Sequence, residues 1–159
     1  MSRIKNPRAY LSQAALIARN PVFRAMCQKV MRPAQQVDLA LAARIAFESV
    51  SKGTCNAADR DTLAGTVNVC MVLCETHCAP NDLQITLDAQ AAMLRADVRA
   101  LHGKTWNFDA AGRTAWLQLL DMHEQLIAQL GQAALTTALL DVIDRRKRGQ
   151  VHQIKEIAA

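Results

Sequence analysis

The chain is 159 residues long and half apolar (51%), with six Gly, four Pro and a net charge of +5, long enough to bury roughly 70% of its unfolded surface with no disulfide or metal to hold it together. Ala and Leu recur while Val, Ile and aromatics are few, which favours helix over sheet, and the longest candidate span, Val67 to Cys74, falls far short of the roughly 18 to 20 residues that a membrane-spanning helix requires. The charge is unevenly spread: residues 1–36 carry Arg3, Lys5, Arg8, Arg19, Arg24, Lys29 and Arg32 and no acid, residues 37–144 carry thirteen acids against seven bases, and the last fifteen open with Arg145, Arg146, Lys147 and Arg148.

Asn6-Pro7 and Asn20-Pro21 each set a capping residue before a proline suited to the first helical position. They predict one short helix through Leu11, Ala14, Ala15 and Ala18 and another through Val22, Phe23, Met26 and Val30. Pro33 either begins a third helix or kinks the second. Beyond it, Leu39, Ala42, Ala43, Ala46, Phe47 and Val50 share one helical face, with Asp38, Arg44 and Glu48 opposite, up to Lys52-Gly53. Asn56 caps the next helix, whose stripe is Leu63, Val67, Cys70, Met71, Cys74 and Cys78, and Ala79-Pro80 stops it. Asn81 or Asp82 opens another, with Leu83, Leu87, Met93, Leu94, Val98 and Leu101 as its apolar positions before Gly103. Asp109 caps a helix striped by Trp116, Leu119, Leu120, His123, Leu126, Ile127 and Leu130, and a last one from about Gln132 bears Leu135, Leu139, Val142 and Ile143.

Connections of a few residues, apart from Lys104 to Phe108, predict near-antiparallel neighbours. The expected fold is all-α: one compact bundle of about six or seven mostly antiparallel helices over residues 1–159, in which the short basic helices of residues 1–36 form an N-terminal arm or subdomain. No repeat of fixed period and no Ser/Gly-rich linker divides it.

Cys70, Cys74, His77 and Cys78 lie near one helical face, and thiolate with imidazole is a zinc-like donor set, with His123 or Cys55 as a further ligand from elsewhere. Against a metal stands the difficulty of wrapping one straight helix around a tetrahedral ion; free cysteines also pack as small hydrophobes. His123 sits on an apolar stripe, which suits a core or interface position, and His102 lies at a helix end, where positive charge is favoured. Gly103-Lys104-Thr105 echoes the end of a phosphate-binding loop, but Val98 stands where its first glycine belongs and the setting is a helix C-terminus. No cofactor is expected.

Residues 11–30 are similar to a helix-turn-helix, with Gln13, Leu16 and Ala18 on a first helix and Val22, Arg24, Gln28 and Lys29 on a second, and with Asn20-Pro21 at the turn where glycine is common. The resemblance implies a second helix placed to read a major groove; the same residues also fit two packed helices with basic outer faces. Ala14 to Ala18 is too brief for a signal-peptide core and Arg19 closes it, so a cytoplasmic location with five reduced cysteines is expected.

The composition suits a small bacterial or mobile-element accessory or regulatory protein without enzymatic activity. Its partner would be a protein or nucleic acid with an anionic surface, bound through Arg3, Lys5, Arg8, Arg19, Arg24, Lys29, Arg32 and Arg145, Arg146, Lys147 and Arg148. Two alternatives stand beside it: a protein-interaction module or self-associating bundle that does not bind nucleic acid, and a thiolate metal protein built on Cys70, Cys74, His77 and Cys78.

Overall fold

The computed structural model describes residues 33–78 and 80–150. The two short helices expected within residues 11–30 lie outside these. The described residues form five helices and no strand: α1 (Pro33–Ser51), α2 (Ala57–His77), α3 (Pro80–Leu101), α4 (Ala110–Gln129) and α5 (Gln132–Lys147). Pro33 thus begins a helix. Pro80 opens α3, one residue ahead of the expected Asn81, because a proline at the first helical position gives up no hydrogen bond.

Local chemistry explains where the helices start and stop. Asn56 and Asp59 form a reciprocal capping box at the start of α2, each side chain accepting from the other's backbone N–H at 3.0 Å. Asp109 caps α4 by accepting from the Gly112 N–H at 2.7 Å. Helices α1 and α3 end at Gly53 and Gly103, whose φ angles of 72° and 73° let the chain turn back so that Thr54 and Lys104 donate to the Ser49 and Arg99 carbonyls.

Helix α1 packs on α2 and α4, and α3 packs on the same two helices, so α1 to α4 close into a four-helix bundle, with α5 laid against α2. The connections make α1–α2, α2–α3 and α3–α4 packed neighbours, whereas α4 and α5, though consecutive, hardly touch because α5 crosses to α2. Leu63, Val67, Leu73, Met93, Trp116, Leu119 and Ile127 fill the centre. Phe108, from the long α3–α4 connection, stacks between Phe47 and Trp116 with ring centroids 6.1 and 5.5 Å away. Arg44 ties α1 to α4, donating to Asp121 at 2.8 Å and to Glu124.

The stripes expected on α2 and α4 are buried, with Met71, Cys78 and Leu130 half-buried at the margin. Three others need correction. Leu39 and Ala42 on α1, and Leu139 and Ile143 on α5, are exposed; the burial of α1 is concentrated in its second half, around Ala43, Ala46, Phe47 and Val50, and among the described residues α5 has only α2 as a close neighbour. On α3 the correction is larger, because Leu87, Leu94, Val98 and Leu101 all face outward. The face α3 turns to the core carries Thr86, Ala89, Ala92, Met93, Ala96 and Ala100. Small side chains let it approach α4 so closely that a Cβ at Gly112 would stand 2.9 Å from that of Ala92; leucines on this face would hold the two helices apart.

Candidate functional site

The basic residues expected to bind a partner divide into two groups. Arg3, Lys5, Arg8, Arg19, Arg24, Lys29 and Arg32 lie outside the described residues. The other four end α5 and project differently. Arg145 turns back onto the bundle: its Nη1 and Nη2 donate to the two oxygens of Glu75 on α2 at 2.9 and 2.5 Å, and its Nε donates to Asp141 at 3.0 Å. That bidentate contact pins α5 to α2 and holds the Glu75 carboxyl below the usual carboxylate range. Arg146, Lys147 and Arg148 are exposed at the helix end, with Lys147 3.9 Å from Asp144.

The cysteine cluster is divided by burial. Cys70 and Cys74 are core side chains, and Cys74 Sγ lies 3.9 Å from Met122 Sδ of α4. Burial pushes the Cys70 thiol strongly upward and that of Cys74 up to about 12, so both are held as thiols rather than thiolates. His77 is exposed and Cys78 half-buried. Among the described residues no group of three or more His, Cys, Asp or Glu side chains is placed to hold one metal ion. Alkylation with iodoacetamide, read residue by residue by mass spectrometry, is expected to modify the half-buried Cys78 before Cys70 and Cys74, which react only on unfolding, because the thiolate is the nucleophile.

His123 is buried, as its stripe implied, and its Nδ1 has no hydrogen-bond partner; Trp116, two turns earlier on α4, likewise leaves its Nε1 unpaired. Desolvation lowers the imidazole pKa to about 4, against a smaller opposing pull from Glu124. The ring is a neutral core group at physiological pH.

A different surface stands out once burial is known. The outer face of α3 exposes Leu87 (42%), Leu94 (56%), Val98 (53%) and Leu101 (58%). With Gln84 and Ala91 these residues occupy successive positions three and four apart, a heptad seam with Leu at every second site. It lies opposite the Thr86–Ala89–Met93–Ala96–Ala100 stripe that meets the core, so α3 carries two seams back to back. The periodicity of Leu87, Leu94, Val98 and Leu101 was visible in the sequence. The signal that could have placed it outward is the second, small-residue seam on the opposite side of the helix.

Charged groups tie this face to the start of α4. Asp109 accepts from Arg95 Nε at 2.9 Å and from Arg99 Nη1 at 3.4 Å in addition to its capping bond, which brings its carboxyl down to about 2. Arg99 also donates to the Asn107 carbonyl, and Trp106 Nε1 donates to Asp97 at 2.7 Å, folding the α3–α4 connection against the side of α3. Toward α4 the seam opens into a groove of about 440 Å³, lined by Asp88, Ala91, Arg95, Ala111, Thr114 and Gln118. Among the described residues no helix is long and apolar enough to cross a membrane. No family model, curated protein or solved structure matches the chain.

Proposed function

We propose that this chain is a non-enzymatic, all-helical binding protein, of the accessory or regulatory kind, whose work is to associate with a macromolecular partner. The observation that carries this reading is the exposed Leu87–Leu94–Val98–Leu101 seam on a helix already anchored to α2 and α4 along its other face. An ordered apolar stripe on a rigid helix is a surface to which another helix or an apolar protein face can bind, and it favours a protein partner over nucleic acid.

The basic residues at the two ends would add electrostatic steering toward an acidic surface. Supporting a nucleic-acid contact is the exposure of Arg146, Lys147 and Arg148 at the end of α5; Arg145, bonded to Glu75, would act there as a structural residue. Such a complex would weaken steeply with salt in a mobility-shift assay, and Lys147→Ala with Arg148→Ala would reduce the slope of log affinity against log salt by about 0.9 per lost duplex phosphate contact.

Capture on tagged full-length chain tests the main reading. A macromolecule retained by the unaltered chain is expected to be lost with Leu94→Lys, a change at an exposed site that leaves the helical circular dichroism signal intact. Equal retention by both forms would remove the outer face of α3 from the binding surface.

A further inference from the structure

We infer that the partner on the outer face of α3 is a second copy of this chain, bound by antiparallel α3–α3 pairing about a twofold axis. The inference rests on the binding reading above and assigns that surface its occupant.

Two observations point to self-pairing. The first is the seam itself. Gln84, Leu87, Ala91, Leu94, Val98 and Leu101 follow an unbroken three-four spacing along nearly the whole of α3, with Leu at all three positions of one kind and Ala and Val among those of the other, the pattern by which two helices interlock side chains. A shallow hollow of about 370 Å³ over Leu94, Arg95, Val98 and Arg99, lined almost wholly by apolar surface, offers a receiving site. In an antiparallel register Leu87 meets the partner subunit's Val98, and Ala91 meets the partner subunit's Leu94. The same contacts recur on the other side of the axis, as an isologous interface requires.

The second observation is the order of charge along one edge of the seam. Asp88 precedes Leu94 and Arg95 follows it, both on the side facing α4. Antiparallel pairing sets this edge against itself in reverse, so Asp88 comes opposite the partner subunit's Arg95 on both sides of the axis. Parallel pairing would set Asp88 near the partner subunit's Leu83 and Arg95 near the partner subunit's Gln90, so neither would meet an opposite charge across the interface. Arg95 commits Nε and Nη2 to Asp109, which fixes its guanidinium beside the seam, and a guanidinium has five N–H groups to share.

Sedimentation velocity on the full chain at tens of micromolar is expected to give a particle of about 35 kDa, twice the 17.4 kDa chain mass. Leu94→Asp and, separately, Val98→Asp are expected to yield folded monomers, with a dissociation constant raised by about a hundredfold or more. Leu87→Cys mixed with Val98→Cys is expected to cross-link under mild oxidation, whereas Leu87→Cys alone does not. A monomer at this concentration, a dimer untouched by both aspartates, or Leu87→Cys cross-linking to itself would each overturn the assignment. A monomeric chain that still loses a captured macromolecule on Leu94→Lys would overturn self-pairing and leave the binding reading standing; loss of neither mass nor capture would remove both.

Discussion

Acidification from pH 7 to pH 4 is expected to destabilise the bundle by on the order of 3 kcal/mol, with the loss concentrated at His123. The imidazole is 6% exposed, and its pKa falls from an ordinary 6.5 to about 4 in the folded state because burial penalises the charged form. Above about pH 6.5 folded and unfolded chains both carry it neutral, and stability does not depend on it. Between 6.5 and 4 the unfolded chain takes up a proton that the folded chain refuses, so stability drops as pH falls. Below 4 both states are protonated and the loss levels off. Two carboxyls lie lower in this scale: Glu75 and Asp109 are held below their ordinary values of 4.5 and 3.8 by Arg145 and Arg95 respectively. They contribute stability that disappears only as pH falls through a lower range, so the interval from 6.5 to about 5 isolates His123. Urea denaturation across that interval checks it. His123→Met fills a similar volume without a titratable group, and should flatten the profile and leave a chain at least as stable at pH 7, since Nδ1 has no partner to lose. An unchanged slope in the variant would show that another group controls the acid limb.

Gly112→Ala is expected to lower stability by about 2 kcal/mol, although alanine is the better helix former by about 1 kcal/mol. The added Cβ would lie 2.8 Å from Asp109 Oδ1, 2.9 Å from Ala92 Cβ and 3.4 Å from Phe108 Cβ. None of these can retreat cheaply. The carboxylate oxygen is the cap of α4 and is held by Arg95, the Ala92 methyl is fixed to the α3 backbone, and Phe108 is stacked between two rings. Relief would require α3 and α4 to separate or the cap to break, and loss of a cap alone costs about 1 kcal/mol. The denaturation midpoint at pH 7 measures the effect. If Gly112→Ala is neutral or stabilising, the α3–α4 interface is looser than these distances state. Gly112→Val, with more bulk at the same point, should be worse still.

The two substitutions also show what could be read in advance. Asn56, Asp109, Gly53 and Gly103 marked helix ends by chemistry that acts within a few residues, and the periodic stripes of α2 and α4 identified Leu63, Val67, Cys70, Trp116, Leu119 and His123 as interior. On α4 one apolar face meets the core, so periodicity and burial coincide; α2, with four helical neighbours among the described residues, also buries Val69, Val72 and Leu73 outside its stripe. On α3 they part company. Its leucines recur as regularly as those of α4, but the alanine seam on the opposite side is the one that fits between α2 and α4. The long-range ion pairs, Arg44 with Asp121 and Arg145 with Glu75, join residues on different helices whose spacing in the chain carries no trace of the contact.

By itself, then, the order of residues determined that the described part of the chain is helical, where α2, α4 and α5 begin and where α1 and α3 end to within a residue or two, and that its charge is basic at the ends and acidic between them. Only the tertiary structure decided which of the two seams on α3 is core and which is surface, and that Arg145 is bound within the bundle rather than offered outward. Capping and periodicity are local properties of a few consecutive turns. The choice between two apolar faces depends on how near the neighbouring helices can come, and that distance is set by Gly112 and Ala92 on separate helices, 20 positions apart in the chain.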